Sequence, residues 1–566
     1  MSEAVNNRFI ERDSTTQPRG FAALFDWLLA GSLALSVLVS TAGIDFHIAG
    51  VALRAHSAVR VLAVAVALFL ARRQLGIADY ARWLARIALL ALITGSVMTW
   101  FRFLLSTIGG ADSYGYVSAS HMIASGRLVD AAPIAEWLTA PNRLALASPL
   151  GWTPAPDGSG IGPTFPIGTS TLMALFSIAG GPQAVFFVSP VMALLTMVLV
   201  YRGARDWFDG ETALLAVAIL AWNPVFLTYA KQPMSDLTAT ACITLAIVLS
   251  LQKSAASALG AGLAAGAAVI TRPALLIAAA TIPFLSFHGE ARRSRFLITG
   301  IAAAIGVAIQ MVIQATLFGS PFSSGYGPAA NLFAWSHLPS NVWIFAKQMW
   351  FAFGALWLVG VLGGFKIAPP ALRWRLATVF AAVTAPYLFY LPFDHWETLR
   401  FLLPGVAIVS VLVAASWVAF ARRMPLPYIV VASPLLVAFI FFARGEMLLR
   451  ESGQWDIQSL EARYPLAGEW INVNTPLNSV VMANQHSGSL RWYGKRQTIR
   501  WDFVDPSQLT GTVRELQSHG ATVYVALEGD EVKMFDDRFK KVIDQLQVDH
   551  VGSIRNVSFR RLLAAK

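Results

Sequence analysis

Ionisable side chains of this chain cluster in short polar segments between long apolar runs, and the first such segment surrounds Asp112. Two glycines precede Asp112, and Tyr114 and Tyr116 follow it. Glycines let the backbone turn sharply, so one carboxylate is predicted on a tight turn before a helical stretch at 117–125. Charges beside a membrane are costly, which makes their placement informative. The alternative is that Asp112 only caps that helix.

A second acidic segment, 231–236, joins two apolar runs by a very short connection that contains Lys231 and Asp236. Asp236 is predicted on the same face of the membrane as Asp112, and an N-cap is again the alternative. Arg272 stands alone between two short apolar runs on that face. A buried guanidinium needs an anion, and either Asp236 or a phosphate group would satisfy it.

Two further polar segments are predicted at this face. The segment 393–400 is unusually charged, and its alternative interpretation is a solvated loop. Its ionisable candidates are His395, Glu397 and Arg400. The segment 319–327, which contains Tyr326, is either an ordinary connector or a mobile lid. Because the apolar runs hold almost no charge at their centres, this pattern favours chemistry at the membrane surface over passage through the bilayer.

The composition indicates how these segments are positioned. Of the 566 residues, 56% are apolar and 13% are charged, whereas soluble domains carry about 25% charged residues. Runs long enough to cross the hydrocarbon core recur from residue 21 to residue 443. We therefore predict a mainly α-helical transmembrane bundle of about thirteen spans. They are 22–43, 57–76, 86–106, 183–201, 211–229, 236–252, 257–271, 273–288, 296–318, 342–363, 374–392, 398–420 and 426–443.

Basic residues predict the orientation of this bundle. The net charge is +11, and clusters such as those at Arg292 and Arg422 fall in short loops. The positive-inside rule places these loops and the tail 1–20 in the cytoplasm. The large loop 107–164 is then outside, and the segment 165–180 lies flat in the outer interface. Because the basic residues set orientation and contact lipid headgroups, no nucleic-acid partner is expected.

From residue 444 to 566 the composition is that of a soluble domain. Buried strands are predicted at 479–483 and 521–527, and helices at 507–519 and 530–547. Together they predict a small α/β domain. An odd number of crossings places it outside the cytoplasm, in the periplasm if the chain lies in a bacterial inner membrane.

Several motifs occur in the order found in one enzyme superfamily. The run 111–116 resembles the first outer-loop motif of the GT-C glycosyltransferases, among them relatives of the bacterial protein O-mannosyltransferases and the lipid A aminoarabinose transferase. Further resembling runs are 163–168, 232–236, 262–273, 318–322 and 400–404. The chain departs from the family at Ser113, where some members have a second acid, and at Ile167, where they have a second proline.

The resemblance implies a membrane glycosyltransferase of the hexosyl or pentosyl class. It would move a sugar from a polyprenyl-phosphate donor to an extracytoplasmic hydroxyl of a protein, a lipopolysaccharide or a cell-wall glycan. Asp112 would be the base or acceptor orienter, and Asp236 would orient a cation. Either acid would hold a divalent metal, Mg or Mn, if one is used. The implied substrate-binding residues are Tyr114, Tyr116, Lys231, Arg272, Tyr326, His395, Glu397 and Arg400.

Two other functional classes also suit a multispanning chain. A transporter or lipid flippase predicts charges at mid-span, broken helices and inverted repeats, and the sequence shows no convincing internal repeat. A non-catalytic envelope assembly protein predicts that Asp112→Asn leaves function intact.

Overall fold

A computed structural model describes residues 44–48, 51–55, 80–328, 331–424 and 427–564. The predicted tail 1–20 and the predicted spans 22–43 and 57–76 lie outside these ranges. The described chain is mainly helical, as predicted. Its first two strands, β1 (Ile44–Ile48) and β2 (Val51–Ala55), form an antiparallel hairpin.

The apolar part of the chain folds into helices joined by short connections. They are α1 (Tyr80–Arg102), α2 (Asp112–Ala124), α3 (Arg143–Ala147), α4 (Gly168–Gly180), α5 (Val188–Trp207), α6 (Gly210–Ala221), α7 (Pro224–Ala230), α8 (Asp236–Ser250), α9 (Ala255–Thr271), α10 (Leu276–Leu285), α11 (Arg292–Phe318), α12 (Leu338–Phe353), α13 (Leu356–Ile367), α14 (Pro370–Phe389), α15 (Leu403–Ala421) and α16 (Pro427–Glu451). Each predicted span between residues 86 and 443 coincides with one of these helices or with a bent pair.

The number of membrane crossings remains a prediction. Among the described residues, five helices are long and apolar enough to cross a membrane, and two bent pairs raise the number to seven. Helices α6 and α7 bend by 69°, and α12 and α13 bend by 92°. Helices α8, α9 and α10 are apolar but shorter than the roughly 20 residues that a crossing usually needs.

Close packing of α9 on α11 positions one wall of the site. The two helices run in the same direction, because Gly262 of α9 lies against Thr299 and Gly266 lies against Gly306. A Cβ on Gly306 would lie 2.3 Å from the Cα of Gly266, so the backbones touch only because both residues are glycine. The C-terminal ends of α9 and α11 therefore lie on the same side of the molecule.

The outer loop 107–164 contains several short helices and strands. It contains α2, α3 and a short hairpin of β3 (Trp152–Pro154) and β4 (Ile161–Pro163). Helix α4 follows and packs on α2, at the place where the sequence predicted an interfacial helix over 165–180. A second short hairpin, β5 (Ser323–Ser324) and β6 (Gly327–Pro328), follows α11.

The C-terminal part is a mixed sheet with helices. Its strands are β7 (Ser479–Ala483), β8 (Gln497–Ile499), β9 (Thr522–Glu528), β10 (Leu546–Ile554) and β11 (Val557–Ala564), in the order β10-β11-β9-β7-β8. Its helices are α17 (Ile457–Glu461), α18 (Arg463–Asn474), α19 (Ser487–Trp492), α20 (Leu509–Ser518) and α21 (Glu531–Phe539). β7 is parallel to β8 and β9, and β11 is antiparallel to β9 and β10.

Two details of this part differ from the prediction. Helix α16 continues past the predicted boundary at 444 and ends at Glu451. The predicted helix 530–547 is wrong in its second half, because α21 ends at Phe539 and the chain becomes β10 at Leu546. β10 is an edge strand with many polar exposed residues, so its sequence lacks the apolar pattern of a buried strand.

The outer loop and the C-terminal sheet share one hydrophobic core. Loop residues Ile134, Leu146 and Trp152 pack in the same cluster as Met482 and Val525 of the sheet. Main-chain contacts also join the two parts, since the Arg500 amide donates to the Leu146 carbonyl at 2.7 Å. The C-terminal part is therefore joined to the outer loop by its core.

Candidate active site

A cavity of about 360 Å³ lies at the side of the bundle that carries the outer loop. Six residues singled out in the sequence line it: Asp112, Tyr116, Asp236, Arg272, Tyr326 and Arg400. They come from segments spread across the chain, so the fold brings together groups that are distant in sequence. The lining contains two aspartates and two arginines, and most of the remaining lining is apolar.

The first charged pair joins Asp112 to Arg400. The Arg400 Nη1 lies 3.2 Å from the Asp112 Oδ2, and both side chains are partly exposed, at 24% and 29%. Asp112 is the first residue of α2, and Arg400 lies in a 3₁₀ segment, Trp396–Leu402, that leads into α15. The Asp112 carboxylate therefore stands at the positive N-terminus of a helix and beside a guanidinium.

The second charged pair joins Asp236 to Arg272 and is more deeply buried. The Arg272 Nη2 lies 2.7 Å from the Asp236 Oδ1, and the side chains are 15% and 2% exposed. Burial alone would lower the pKa of Arg272, but the adjacent Asp236 carboxylate, together with Tyr387 and Tyr116, outweighs burial and raises that pKa above its ordinary value. Of the two anions that the sequence left open for Arg272, the structure places Asp236 in direct contact.

One aromatic ring lies beside both arginines. The Phe401 centroid is 5.5 Å from the Arg272 Cζ and 5.4 Å from the Arg400 Cζ. Tyr387 stacks on the same ring with centroids 5.0 Å apart. A ring face attracts cations, so Phe401 helps to hold two positive charges at one end of the cavity.

Tyr116 connects the two acidic segments. Its hydroxyl donates to the Ser235 Oγ at 2.9 Å, and its ring stacks on Phe165 with centroids 4.9 Å apart. Burial raises the pKa of Tyr116, and the negative charge of Asp112 raises it further, so the phenol stays protonated. Tyr326 contacts Phe165 edge to face at 6.1 Å and lines the same side of the cavity.

Another part of the cavity wall is formed by α11 and the segment after it. Residues of α11 at helical spacing face the cavity: Gln310, Ile313, Gln314 and Leu317. Phe322 and Phe333 continue this apolar wall and are exposed at its edge. Gln310 is buried, and its Oε1 lacks a hydrogen-bond partner among the described residues. Sequence reasoning missed both glutamines, although two amides four residues apart in an apolar span were a usable signal.

Neither acid acts as a helix cap. Helices α2 and α8 begin at Asp112 and Asp236, and the residues that precede them, Ala111 and Ser235, make no side-chain cap hydrogen bond. Both carboxylates instead contact arginines from other segments. The geometry therefore does not favour the alternative in which these aspartates only cap the N-termini of helices.

Four predicted substrate-binding residues lie away from the cavity. The Lys231 side chain is buried and donates from Nζ to the Gln454 carbonyl at 2.6 Å. Glu397 accepts from the Gln454 Nε2 at 3.2 Å, and His395 is exposed beside it. Tyr114 is buried in the core that the outer loop shares with the C-terminal sheet. Contacts within the protein therefore hold Lys231 and Tyr114, and His395 and Glu397 lie outside the cavity lining.

The two acids are the candidate ligands of the predicted metal site. Within the part of the chain that the structure describes, no group of three or more His, Cys, Asp and Glu side chains is suited to a metal ion. Asp112 and Asp236 are each engaged by an arginine. Each arginine engages one oxygen of its carboxylate, the Mg or Mn site stays a prediction, and no step below depends on a metal.

The helical fold that holds this cavity also occurs in solved structures of other proteins. Two structures of ArnT from Cupriavidus metallidurans share the fold. The apo structure has a TM-score of 0.52 at 13% identity, covering 83% of this chain and 97% of that chain. The structure bound to undecaprenyl phosphate has a TM-score of 0.55 at 12% identity, with the same coverage of 83% and 97%.

The sequence comparison agrees with this fold. The segment 163–318 matches the family described as dolichyl-phosphate-mannose-protein mannosyltransferase. This segment contains Asp236 and Arg272, whereas Asp112 and Arg400 lie on either side of it. A search of curated proteins finds no significant match. The predicted resemblance to the GT-C glycosyltransferases is confirmed.

Proposed function

We propose that this chain transfers a sugar from a polyprenyl-phosphate donor to a hydroxyl group of an acceptor outside the cytoplasm. The observation that carries the proposal is a cavity that is lined both by two arginine–carboxylate pairs and by apolar side chains of α11 and the segment after it. A lipid-linked sugar phosphate has the same two-part character. The family match and the ArnT structure bound to undecaprenyl phosphate support this donor class.

The charged end suits the phosphate of the donor. Arg272 and Arg400 each contact their carboxylate through one terminal nitrogen, so other donors of each guanidinium fork can face phosphate oxygens. Arginine recognises phosphate through such planar donor pairs. Charge develops on this phosphate as the lipid phosphate leaves, and fixed cations stabilise that charge in a site sheltered from water.

The transfer step follows from these positions. The acceptor hydroxyl oxygen forms a bond to the anomeric carbon, and the bond from that carbon to the phosphate oxygen breaks. The electron pair of the broken bond stays on the lipid phosphate, beside Arg272 and Arg400. The hydroxyl proton passes to Asp112, whose side chain remains partly exposed and so accessible to an acceptor. A positioned base of this kind contributes about 10²–10⁴-fold in rate.

The apolar wall suits the polyprenyl chain. Ile313 and Leu317 of α11 line it, and Phe322 continues it to an exposed edge. The donor chain would lie along this wall while its sugar points toward Gln310. The acceptor in this proposal is a hydroxyl group of a protein, a lipopolysaccharide or a cell-wall glycan.

The orientation belongs to the same proposal. Helix α11 begins at Arg292, in a basic cluster, and its other end reaches the cavity at Phe318. The positive-inside rule then places the cavity on the extracytoplasmic face. The C-terminal sheet packs on the outer loop and shares that face, which is the periplasm if the chain lies in a bacterial inner membrane.

Mass spectrometry of envelope glycans tests the proposal. A deletion strain should lose one sugar from one carrier, and the wild-type gene should restore it. Asp112→Asn should restore none while its membrane level stays normal. Asp130→Asn is the matched control, since Asp130 lies in the same outer loop but pairs with Arg127 at the surface. Restoration by Asp112→Asn at the wild-type level would contradict the mechanism.

A further inference from the structure

The turn that carries Asp112 is in direct contact with the C-terminal part of the chain. The Ile108 amide donates to the Tyr493 hydroxyl at 2.9 Å. Gly109 lies under the Tyr464 ring so closely that a Cβ on it would be 2.1 Å from a ring carbon. Gly110 has a φ of +59°, and its missing Cβ would face the Tyr464 hydroxyl at 3.3 Å. Positions 109 and 110 must therefore be glycine for two reasons: the turn needs their backbone freedom, and the C-terminal domain leaves little room for a side chain.

The surface that meets this turn is the carboxyl edge of the parallel strands. The chain leaves β7 into Asn484, Gln485 and His486, and β9 ends at Glu528. In open α/β sheets this edge is where ligands bind. Here the edge carries a hydrogen-bonded polar cluster, and the glycine turn of the outer loop lies against it.

That polar cluster holds Tyr464 in place. The Gln485 Nε2 donates to the Tyr464 hydroxyl at 2.7 Å, and the Arg463 Cζ lies 4.7 Å from the Tyr464 ring centroid. His486 contacts both Glu528, at 3.1 Å, and the Tyr464 ring, with centroids 4.9 Å apart. A buried aromatic ring with this many neighbours has little room to move.

The turn is also tied internally, so a displacement at Gly109 is passed to Asp112. The Gly109 amide donates to the Ser113 Oγ at 3.1 Å, and that hydroxyl donates to the Thr107 carbonyl at 3.0 Å. Tyr114, two residues after Asp112, packs so tightly on Gly488 that a Cβ there would be 2.3 Å from its ring. Contacts with the C-terminal part thus lie on both sides of Asp112.

We propose that the C-terminal domain positions the base: Tyr464, pressed on Gly109, sets the 107–113 turn and so holds the Asp112 carboxylate at its place beside Arg400. Tyr464 is a positioning residue, because it does not line the cavity. This inference rests on the proposed role of Asp112 and assigns the domain a function within the transfer reaction itself. A misplacement of about 1 Å at a reacting group costs about 10²-fold in rate.

A complementation test uses the contact between Gly109 and Tyr464. Gly109→Ala adds the Cβ that meets the ring, and Tyr464→Ala removes the ring. The double variant Gly109→Ala/Tyr464→Ala removes the overlap again. We expect Gly109→Ala to lower glycan product per folded protein by about 10²-fold. Tyr464→Ala should lower product less than Gly109→Ala does. The double variant should match Tyr464→Ala, which is at least about tenfold above Gly109→Ala, since contacting residues give non-additive effects.

A measurement of lipid binding distinguishes a misplaced Asp112 carboxylate from a general structural defect. Native mass spectrometry with undecaprenyl phosphate as the probe should show binding within about twofold of wild type for all three variants, because Arg272, Arg400 and the apolar wall are unchanged. Thermal unfolding in detergent gives the folded fraction. Normal product from Gly109→Ala, or product from the double variant no higher than from Gly109→Ala, would overturn the inference.

Two controls complete the design. Gly210→Ala adds a methyl group where nothing lies within 4 Å and should have no effect. Trp470→Ala removes a large ring from the same helix as Tyr464, where it stacks on Phe559 with centroids 4.2 Å apart. It should reduce stability while leaving product per folded protein within about twofold, since it does not contact the turn. A loss as large as that of Gly109→Ala would overturn the inference.

The outcomes also separate this inference from the proposed function. If Asp112→Asn is fully active, the proposed function fails whatever the complementation shows. If Asp112→Asn is inactive but Gly109→Ala is normal, only the positioning role fails. If Gly109→Ala does not fold, Tyr464→Ala decides alone: lower product with retained lipid binding supports the inference, and normal product overturns it.

Discussion

The two aspartates that line the cavity, Asp112 and Asp236, should respond differently to the same substitution, although the sequence presents them alike. Asp236 is 2% exposed and its partner Arg272 is 15% exposed, at a distance of 2.7 Å. Asp112 is 29% exposed and its partner Arg400 is 24% exposed, at 3.2 Å. Asp236→Asn therefore leaves a buried guanidinium without its counter-charge, whereas Asp112→Asn leaves a partly hydrated one.

The expected magnitudes follow from this difference in burial. Removing one partner of a buried ion pair costs about 3–5 kcal/mol of stability. A solvent-exposed pair contributes about 0–1 kcal/mol. Asp236→Asn should therefore lower the Tm by several degrees, since each kcal/mol shifts the Tm by about 2–4 °C in domains of 150–250 residues and by less in larger ones. Asp112→Asn should abolish transfer with a Tm close to that of the wild type.

Thermal unfolding of the purified variants in detergent, run beside the glycan assay, measures both quantities. A double variant, Asp236→Leu with Arg272→Met, adds a second comparison. Replacing both members of a buried pair by apolar groups is often neutral for stability, so this variant should regain the Tm but not the activity. Equal Tm losses for Asp112→Asn and Asp236→Asn would refute the reasoning from burial.

Three further predictions concern other groups. Gln310→Met should lower the rate of transfer by about 2–10-fold, because one hydrogen bond contributes about that factor. Binding of undecaprenyl phosphate, measured by native mass spectrometry, should not change. Burial lowers the pKa of Lys231 to about 7, so the folded chain holds fewer protons than the unfolded chain between that pH and the ordinary lysine range. Stability should rise with pH across this window in the wild type and not in Lys231→Met, as measured by Tm from pH 7 to 9. Chelation by EDTA should leave transfer in isolated membranes within about twofold, because both carboxylates are paired with arginines.

Much of the fold follows from the sequence alone. Apolar runs of membrane length predicted a helix or a bent helix pair at each span between residues 86 and 443, because a chain in lipid must satisfy its backbone hydrogen bonds internally. The buried strands β7 and β9 were also visible as short apolar runs. Motif order placed Asp112, Asp236, Arg272 and Arg400 in one site, and the structure brings these four side chains to one cavity.

Which side chains face that cavity was not readable from the sequence. Lys231 and Glu397 lie in the same polar segments as Asp236 and Arg400, yet both contact Gln454 instead. Neighbouring residues in a loop point in different directions, and the partner that selects one direction comes from a distant part of the chain. The contact of Arg400 with Asp112 spans 288 residues, so no local pattern predicts it.

The sequence by itself determined the helices, the face of the membrane predicted for each loop, and the residue types available there, because these depend on local composition. Only the tertiary structure decided which carboxylate meets which arginine and how deeply each pair is buried. It also decided that the C-terminal sheet lies on the Gly109 turn, where one tyrosine ring occupies the space that any larger residue would need. Such contacts depend on the packing of segments that are far apart in the chain. The shape complementarity between such segments cannot be read from a single sequence.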